Sequence, residues 1–191
     1  MKKLLLSLVA VCFLGLGVQA QEVFHKGDIV GNLQIGVGTY EGYGIGIPPT
    51  SISVDVGAFD NLIQGENGSI GIGGYFGFGT YRDVYRVDNI RYKDRTVRTC
   101  IGARGTFHYQ FVDNLDTYAG VMLGLYTYNH KHVVSADNNS LVQDDPVRSS
   151  DAGFAHSEFV GVRYYFNESF GVGAEAGYGF TYISAGITLK F

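Results

Sequence analysis

The chain repeats one pattern eight times: apolar residues alternate, position by position, with glycine, tyrosine and polar residues. A period of two is typical of a β-strand whose two faces meet different environments. After residue 20, no segment keeps apolar residues at the i, i+3, i+4, i+7 spacing of an amphipathic helix. We therefore predict an all-β protein, with strands at residues 29–40, 51–59, 69–81, 96–111, 117–128, 154–166, 171–178 and 182–191.

The connections between these segments differ systematically in length. Those after the second, fourth and sixth segments are short and rich in Asn, Asp and Gly, namely DNLIQGENG, VDNLD and NES. Those after the first, third and fifth are longer, namely EGYGIGIPPT, RDVYRVDNIRYKD and HKHVVSADNNSLVQDDPVRSSDAG, whereas the connection at 179–181 is short. Short turns on one rim and long loops on the other are typical of outer-membrane barrels, in which the turns are periplasmic and the loops extracellular.

The composition of the polar face favours a membrane barrel over a soluble barrel or sandwich. Among its glycines and tyrosines, this face carries four charged residues, Asp55, Arg104, Arg163 and Glu175. Glycine packs nothing in solvent, but inside a narrow eight-stranded barrel it makes room for other side chains. Because unpaired buried charges are costly, we predict that the four residues pair as a lumen charge network. The opposite, aliphatic face would meet lipid, with Tyr164, Phe166 and Tyr178 near strand ends.

The first twenty residues have the three parts of a secretory signal peptide: Lys2 and Lys3, an apolar run to about Val18, and small residues ending at Ala20. The run is shorter than a transmembrane helix, which needs about 20 apolar residues. We predict a signal peptide at 1–20 and a barrel domain at 21–191. Cys12 lies inside the apolar run, which disfavours a lipoprotein and leaves Cys100 as the single cysteine of the mature chain.

The mature chain is acidic, and nothing in its sequence predicts a nucleic-acid binder, which would need a basic stripe. Without Lys2 and Lys3, 12 of the 14 basic residues remain against 18 acidic ones, a net charge of −6 with His neutral. A single cysteine cannot form an internal disulfide, so we interpret Cys100 as a small, buried and inert residue.

The last strand ends on an aromatic residue, although chain termini are normally frayed and solvated. Its polar, glycine, hydrophobic and terminal aromatic positions are Ser184, Gly186, Leu189 and Phe191, which match the sorting pattern of bacterial outer-membrane proteins. With the stretch VGVRYYFNESFGVGAEAGYG at 160–179, the chain resembles the small eight-stranded proteins of the OmpA/OmpX transmembrane-domain type, the outer membrane protein β-barrel family. The resemblance implies an antiparallel up-and-down transmembrane β-barrel whose last strand is read by the barrel-assembly machinery through edge pairing.

No combination of residues predicts a catalytic site. Lipid A deacylases, barrel enzymes of similar size, use His and Ser two positions apart on one strand face, whereas His156 and Ser157 are adjacent and fall on opposite faces. We predict no enzyme, and we keep a lipid-modifying enzyme and a narrow solute pore as alternatives, although eight strands leave little room for a channel. His108, near Arg104, is interpreted as a packed interior histidine.

A pair of histidines, His130 and His132, begins the longest predicted loop, and four acidic residues follow, Asp137, Asp144, Asp145 and Asp151. Two histidines on one face of an extended segment could hold a transition metal. The acidic stretch lacks the spacing of a dedicated calcium loop. We favour a polar, mobile loop and predict no metal and no cofactor.

The leading functional hypothesis is a structural or surface-interaction protein of the outer membrane: a monomeric barrel with a plugged lumen that serves adhesion or envelope integrity. The predicted contact surface comprises Tyr43, Tyr85, Tyr92 and the loop at 130–152, because aromatic residues are enriched in interfaces. The predicted partners are outer-membrane lipid, the barrel-assembly machinery and an unidentified extracellular ligand, with no nucleic acid.

Overall fold

A computed structural model of the chain describes residues 23–38, 44–63, 68–87, 90–136 and 147–191. Its strands are β1 (Ile29–Val37), β2 (Ile45–Phe59), β3 (Ser69–Val87), β4 (Ile90–Val112), β5 (Leu115–Ala136), β6 (Val147–Tyr165), β7 (Phe170–Tyr178) and β8 (Ile183–Lys190). Each strand pairs antiparallel with its neighbour in sequence, and β8 pairs with β1, which closes the barrel. The predicted eight-stranded up-and-down barrel is confirmed. The predicted signal peptide and Cys12 lie outside the described residues.

The barrel closes along the seam between β1 and β8. The Phe191 N–H donates to the Ile29 carbonyl at 2.9 Å, and the ladder continues to the pair Val37 and Ile183. Gly186 permits this approach, since a Cβ there would lie 1.9 Å from the Leu33 carbonyl oxygen. The backbone of β1 therefore leaves no room for a side chain at position 186.

The two faces of each strand meet the environments that the alternation predicts. Arg104 and Arg163 point into the barrel and are 3% and 0% exposed, whereas Ile101 and Leu123 on the outer wall are 61% and 56% exposed. On the outward row of β6, His156 Nε2 lies 3.9 Å from Glu158 Oε1. Within the described part of the chain, no helix is long and apolar enough to cross a membrane.

Aromatic side chains gather outside the barrel at the rim of the short turns. Tyr164 packs edge-on against Phe166 at a centroid distance of 5.5 Å, and Phe166 lies 5.9 Å from Phe170. Tyr109 and Phe111 form a similar pair at 4.7 Å. These rings have the position of an interfacial aromatic girdle.

β3, β4, β5 and β6 extend past their predicted ends, so the prediction of long loops after the third and fifth strands is wrong for the described residues. β3 and β4 continue to Val87 and from Ile90, while β5 and β6 continue to Ala136 and from Val147. Aromatic pairing across the strands stabilises this extension, as in the stack of Tyr85 on Tyr92 at 4.9 Å. The first strand connection also shortens, because β2 begins at residue 45 rather than 51.

We call the extension the protruding sheet, defined as residues 82–87 of β3, 90–97 of β4, 129–136 of β5 and 147–152 of β6. The ladder between β2 and β3 ends at Tyr81, and the ladder between β6 and β7 begins at Glu158. Among the described residues, the sheet therefore rises from the β3–β6 side of the barrel. One of its faces continues the lumen wall and the other continues the outer wall.

Candidate functional site

The lumen holds two arginines between three carboxylates. Arg104 Nε lies 3.0 Å from Asp55 Oδ1, and Arg104 Nη2 lies 2.8 Å from Glu175 Oε1. Arg163 donates to the other oxygen of Asp55 and, at 3.1 Å, to Asp116 Oδ2. The four charged residues singled out in the sequence thus lie together. Asp116 joins them, although its sequence context placed it in the turn VDNLD.

Two further side chains extend this lumen charge network. His108 Nδ1 lies 2.8 Å from Asp116 Oδ1, and its Nε2 lies 2.8 Å from Thr106 Oγ1. The Tyr118 hydroxyl donates to Glu175 at 2.8 Å, and the Arg163 guanidinium lies 4.3 Å from the Tyr118 ring centroid. Each carboxylate therefore has at least two partners, and for Asp55 these are a hydrogen bond from Arg163 and an ion pair with Arg104. Such pairing offsets part of the cost of burying a charge.

The segment before β1 enters the barrel at the short-turn rim. Phe24 is buried and stacks on the His108 ring at a centroid distance of 4.1 Å. Ser69 Oγ donates to the Phe24 carbonyl at 2.8 Å, and Lys190 Nζ donates to the Val23 carbonyl at 2.6 Å. Sequence reasoning missed this role for Phe24, which stands outside any alternating segment.

The connection between β7 and β8 inserts an aromatic side chain at the other end. Phe180 is buried with Cys100 and Met122, and Tyr75 packs edge-on against it at 6.3 Å. Gly77 makes room, since a Cβ there would lie 2.8 Å from the Phe180 ring. The buried position of Cys100 agrees with its interpretation as a packing residue.

The residues of the C-terminal pattern divide between the two faces of β8. Ser184 points inward and donates to Gln34 Oε1 at 2.9 Å, and Gly186 lies against β1. Leu189 and Phe191 face outward and are 41% and 77% exposed. Side chains alternate between the two faces of a strand, so the even-numbered residues of the pattern face inward and the odd-numbered ones face outward.

The outer face of the protruding sheet carries a line of four cations, one from each strand. Strand pairing places Arg82 opposite Arg95, Arg95 opposite Lys131, and Lys131 opposite Arg148. We call this line the basic row. All four side chains are exposed.

The inner face of the protruding sheet carries carboxylates and histidines instead. Asp83 lies opposite Asp94, and Asp94 lies opposite His132. His132 Nδ1 contacts Asp94 Oδ1 at hydrogen-bonding distance, and His130 Nε2 lies 3.6 Å from the same oxygen. Tyr85 and Tyr92 stack further along this face. The mobile loop predicted from 130 is thus a paired strand as far as Ala136.

The histidine and serine weighed as catalytic residues lie on opposite faces, as the sequence predicts. His156 contacts Tyr178 on the outer wall at a ring distance of 5.8 Å, whereas Ser157 donates to the Tyr178 carbonyl. Several other residues singled out in the sequence lie outside the described residues: Tyr43, Asp137, Asp144 and Asp145. Asp151 lies on β6, opposite Tyr128.

These features define a class: a closed, eight-stranded, up-and-down barrel of the transmembrane type, apolar outside and polar inside. No protein-family model matches the chain, and no curated protein matches it. Among solved structures, the N-terminal β-barrel domain of Pseudomonas aeruginosa OprF is 16% identical, with 87% of this chain and 98% of that one covered, at a TM-score of 0.44.

A second similar structure is Ail, the attachment invasion locus protein of Yersinia pestis, 14% identical with 87% of this chain and 99% of that one covered, at a TM-score of 0.49. The complex of Ail with the heparin analogue sucrose octasulfate has the same identity and coverage, at a TM-score of 0.46. The fold of this chain is defined by its own strand pairing and does not rest on these similarities.

Proposed function

We propose that this chain is an outer-membrane barrel that holds the basic row against phosphorylated glycolipid of its own outer leaflet and so supports envelope integrity. The observation that carries the proposal is the register of Arg82, Arg95, Lys131 and Arg148 across four strands. Like charges directly opposite each other destabilise a sheet. A row of four therefore calls for an anion that binds between them.

The neighbouring positions that the structure describes on this face supply no anion. Across the strands, the next row toward the sheet tip contains Val84, Lys93 and Val133. The row on the barrel side contains Thr80, Val97, Asn129 and Ser150. Phosphate is the fitting ligand chemistry, because guanidinium and ammonium groups both bind it through charge-assisted hydrogen bonds.

The height of the basic row fits a lipid head group. The outermost row that is apolar on all four strands, Phe76, Ile101, Leu125 and Phe154, lies six positions closer to the barrel on each strand. At about 3.3 Å per residue and a tilt of about 40°, this separation is roughly 15 Å along the membrane normal. The row faces away from the barrel axis, so it lies above the lipid that surrounds the barrel.

The test is binding of purified lipopolysaccharide to the refolded mature protein in detergent. We expect the double variant Arg95→Ser/Lys131→Ser to bind roughly 30-fold more weakly, at about fivefold per cation, and to show a shallower dependence on salt. The matched control is Lys26→Ser, an exposed lysine at the opposite rim, which should bind as the parent does. Equal affinity of the double variant and the parent contradicts the proposal.

Two further ligands separate the sources of the anion. Enzymatically dephosphorylated lipopolysaccharide should bind no better to the parent than to the double variant. A sulfated glycan in solution tests the adhesion reading of the same row, and preferential binding of that glycan over the lipid would move the function from envelope integrity to adhesion.

A structural role without conduction or catalysis accompanies this proposal. Phe24 and Phe180 lie at the two ends of the lumen, with the lumen charge network between them, which supports a plugged barrel. Stable conductance steps in planar bilayers would instead favour the narrow pore.

The separation of His156 from Ser157 supports a protein that is not a lipid-modifying enzyme. That the assembly machinery reads Ser184, Gly186, Leu189 and Phe191 remains a prediction.

A further inference from the structure

We propose that Asp94, His130 and His132 form a binding site for one divalent first-row transition-metal ion, with Zn²⁺ as the type ion. The site lies on the inner face of the protruding sheet, opposite the basic row, and is independent of the proposed binding of glycolipid. The sequence pairs His130 with His132 at a spacing of two, but only the strand register adds Asp94 as the third donor.

The donor atoms are already close together. One oxygen or nitrogen of each of Asp94, His130 and His132 lies within 4.8 Å of the other two. Asp94 Oδ1 lies 3.6 Å from His130 Nε2 and in contact with His132 Nδ1. Ligands about 2.0–2.2 Å from a tetrahedral zinc ion lie roughly 3.3 Å apart, so side-chain shifts of about 1 Å complete the site.

The scaffold holds the donors in place. Asp94 and His132 are directly opposite on β4 and β5, and Thr96 is opposite His130 in the next same-face pair. Thr96 Oγ1 lies 3.0 Å from His130 Nδ1. When His130 donates its Nδ1 proton to this hydroxyl, its Nε2 lone pair faces Asp94, an arrangement in which an outer contact orients a metal-binding histidine.

Charge and access favour a cation at this position. Asp83 lies opposite Asp94 on the same face, and two carboxylates in directly opposed positions repel each other. The side chains of His130, His132 and Asp94 are 44%, 30% and 23% exposed, which admits an ion from solvent. Two imidazoles and one carboxylate suit Zn²⁺ and its first-row neighbours, and they leave a coordination position for water.

The experiment is isothermal titration of the refolded, detergent-solubilised mature protein with ZnCl₂ at pH 7.5. We expect one ion per chain, with affinity at least tenfold lower in His132→Ala and in His130→Ala. Thr96→Val should weaken binding about tenfold by releasing the orientation of His130. The matched control is His25→Ala, because His25 is also 44% exposed and its carboxylate contact among the described residues is Asp28, at 3.7 Å. This variant should bind zinc as the parent does.

Absence of saturable binding to the parent overturns the proposal, and so does equal affinity in His132→Ala and the parent. The visible absorption of Co²⁺ bound to the parent gives a readout that needs no variant: bands typical of a nitrogen and oxygen site support the proposal, and their absence contradicts it. The Arg95→Ser/Lys131→Ser variant should keep its zinc affinity. Failure of the glycolipid test therefore leaves the metal site standing, and the reverse also holds.

Discussion

Arg163→Met should destabilise the barrel by about 3–5 kcal/mol, the cost of leaving buried carboxylates without their partner. Arg163 is fully buried and donates to both Asp55 and Asp116. Removal of its guanidinium leaves Asp116 with His108 and leaves Asp55 with Arg104. The measurement is equilibrium unfolding by urea in detergent micelles. The folded fraction at each urea concentration is read from the difference in gel mobility between heated and unheated samples.

The matched control for this prediction lies on the same strand. Arg148 of β6 is exposed on the protruding sheet, so Arg148→Met should leave the unfolding midpoint close to that of the parent. Arg163→Lys should fall between the two, because a lysine keeps the charge but cannot span two carboxylates as a guanidinium does. If Arg163→Met and Arg148→Met unfold at the same urea concentration, the lumen charge network does not stabilise the barrel.

Gly186→Val should prevent closure of the barrel. A Cβ at Gly186 would lie 1.9 Å from the Leu33 carbonyl oxygen and 2.7 Å from the Gln34 Cα, and both are backbone atoms of β1. Ordinary overpacking costs about 1–3 kcal/mol, and here the strained contact lies in the seam that closes the sheet. We expect the purified variant to show no heat-modifiable mobility after refolding.

Gly105 provides the comparison for Gly186. It lies in β4, and a Cβ there would meet no atom within 4 Å. Gly105→Val should therefore refold as the parent does, and valine is also favoured over glycine in strands. Refolding of Gly186→Val to the same yield as Gly105→Val would show that the β1–β8 seam is not closed as the structure has it.

The sequence predicts the order of strands and the faces of their residues, because one period repeats over the whole chain. It does not predict partners that stand outside that period. The Asn and Asp residues around Asp116 predict a turn, yet Asp116 lies in β5 and accepts from Arg163. Phe24 precedes the first strand, and only the closed barrel provides the space that it occupies.

The protruding sheet was missed for a different reason. Its strands carry charged residues on both faces, so the apolar alternation that identifies a strand fades at Tyr81 and Tyr128. What stabilises these segments is cross-strand pairing, which depends on register. The same holds for the candidate sites. No local motif relates Arg82 to Arg148 until four strands are aligned, or Asp94 to His132 until β4 and β5 are paired.

The central claim is that the aliphatic rows meet lipid while the polar rows face the lumen. The most direct measurement is nuclear Overhauser contact between side-chain methyl groups and the acyl chains of the detergent, recorded on the unmodified mature protein. We predict strong contacts for Leu123, which is 56% exposed, and none for the adjacent Met122, which is 3% exposed. Contacts from Met122 to the acyl chains, or from Leu123 to water alone, would contradict the orientation of every strand described above.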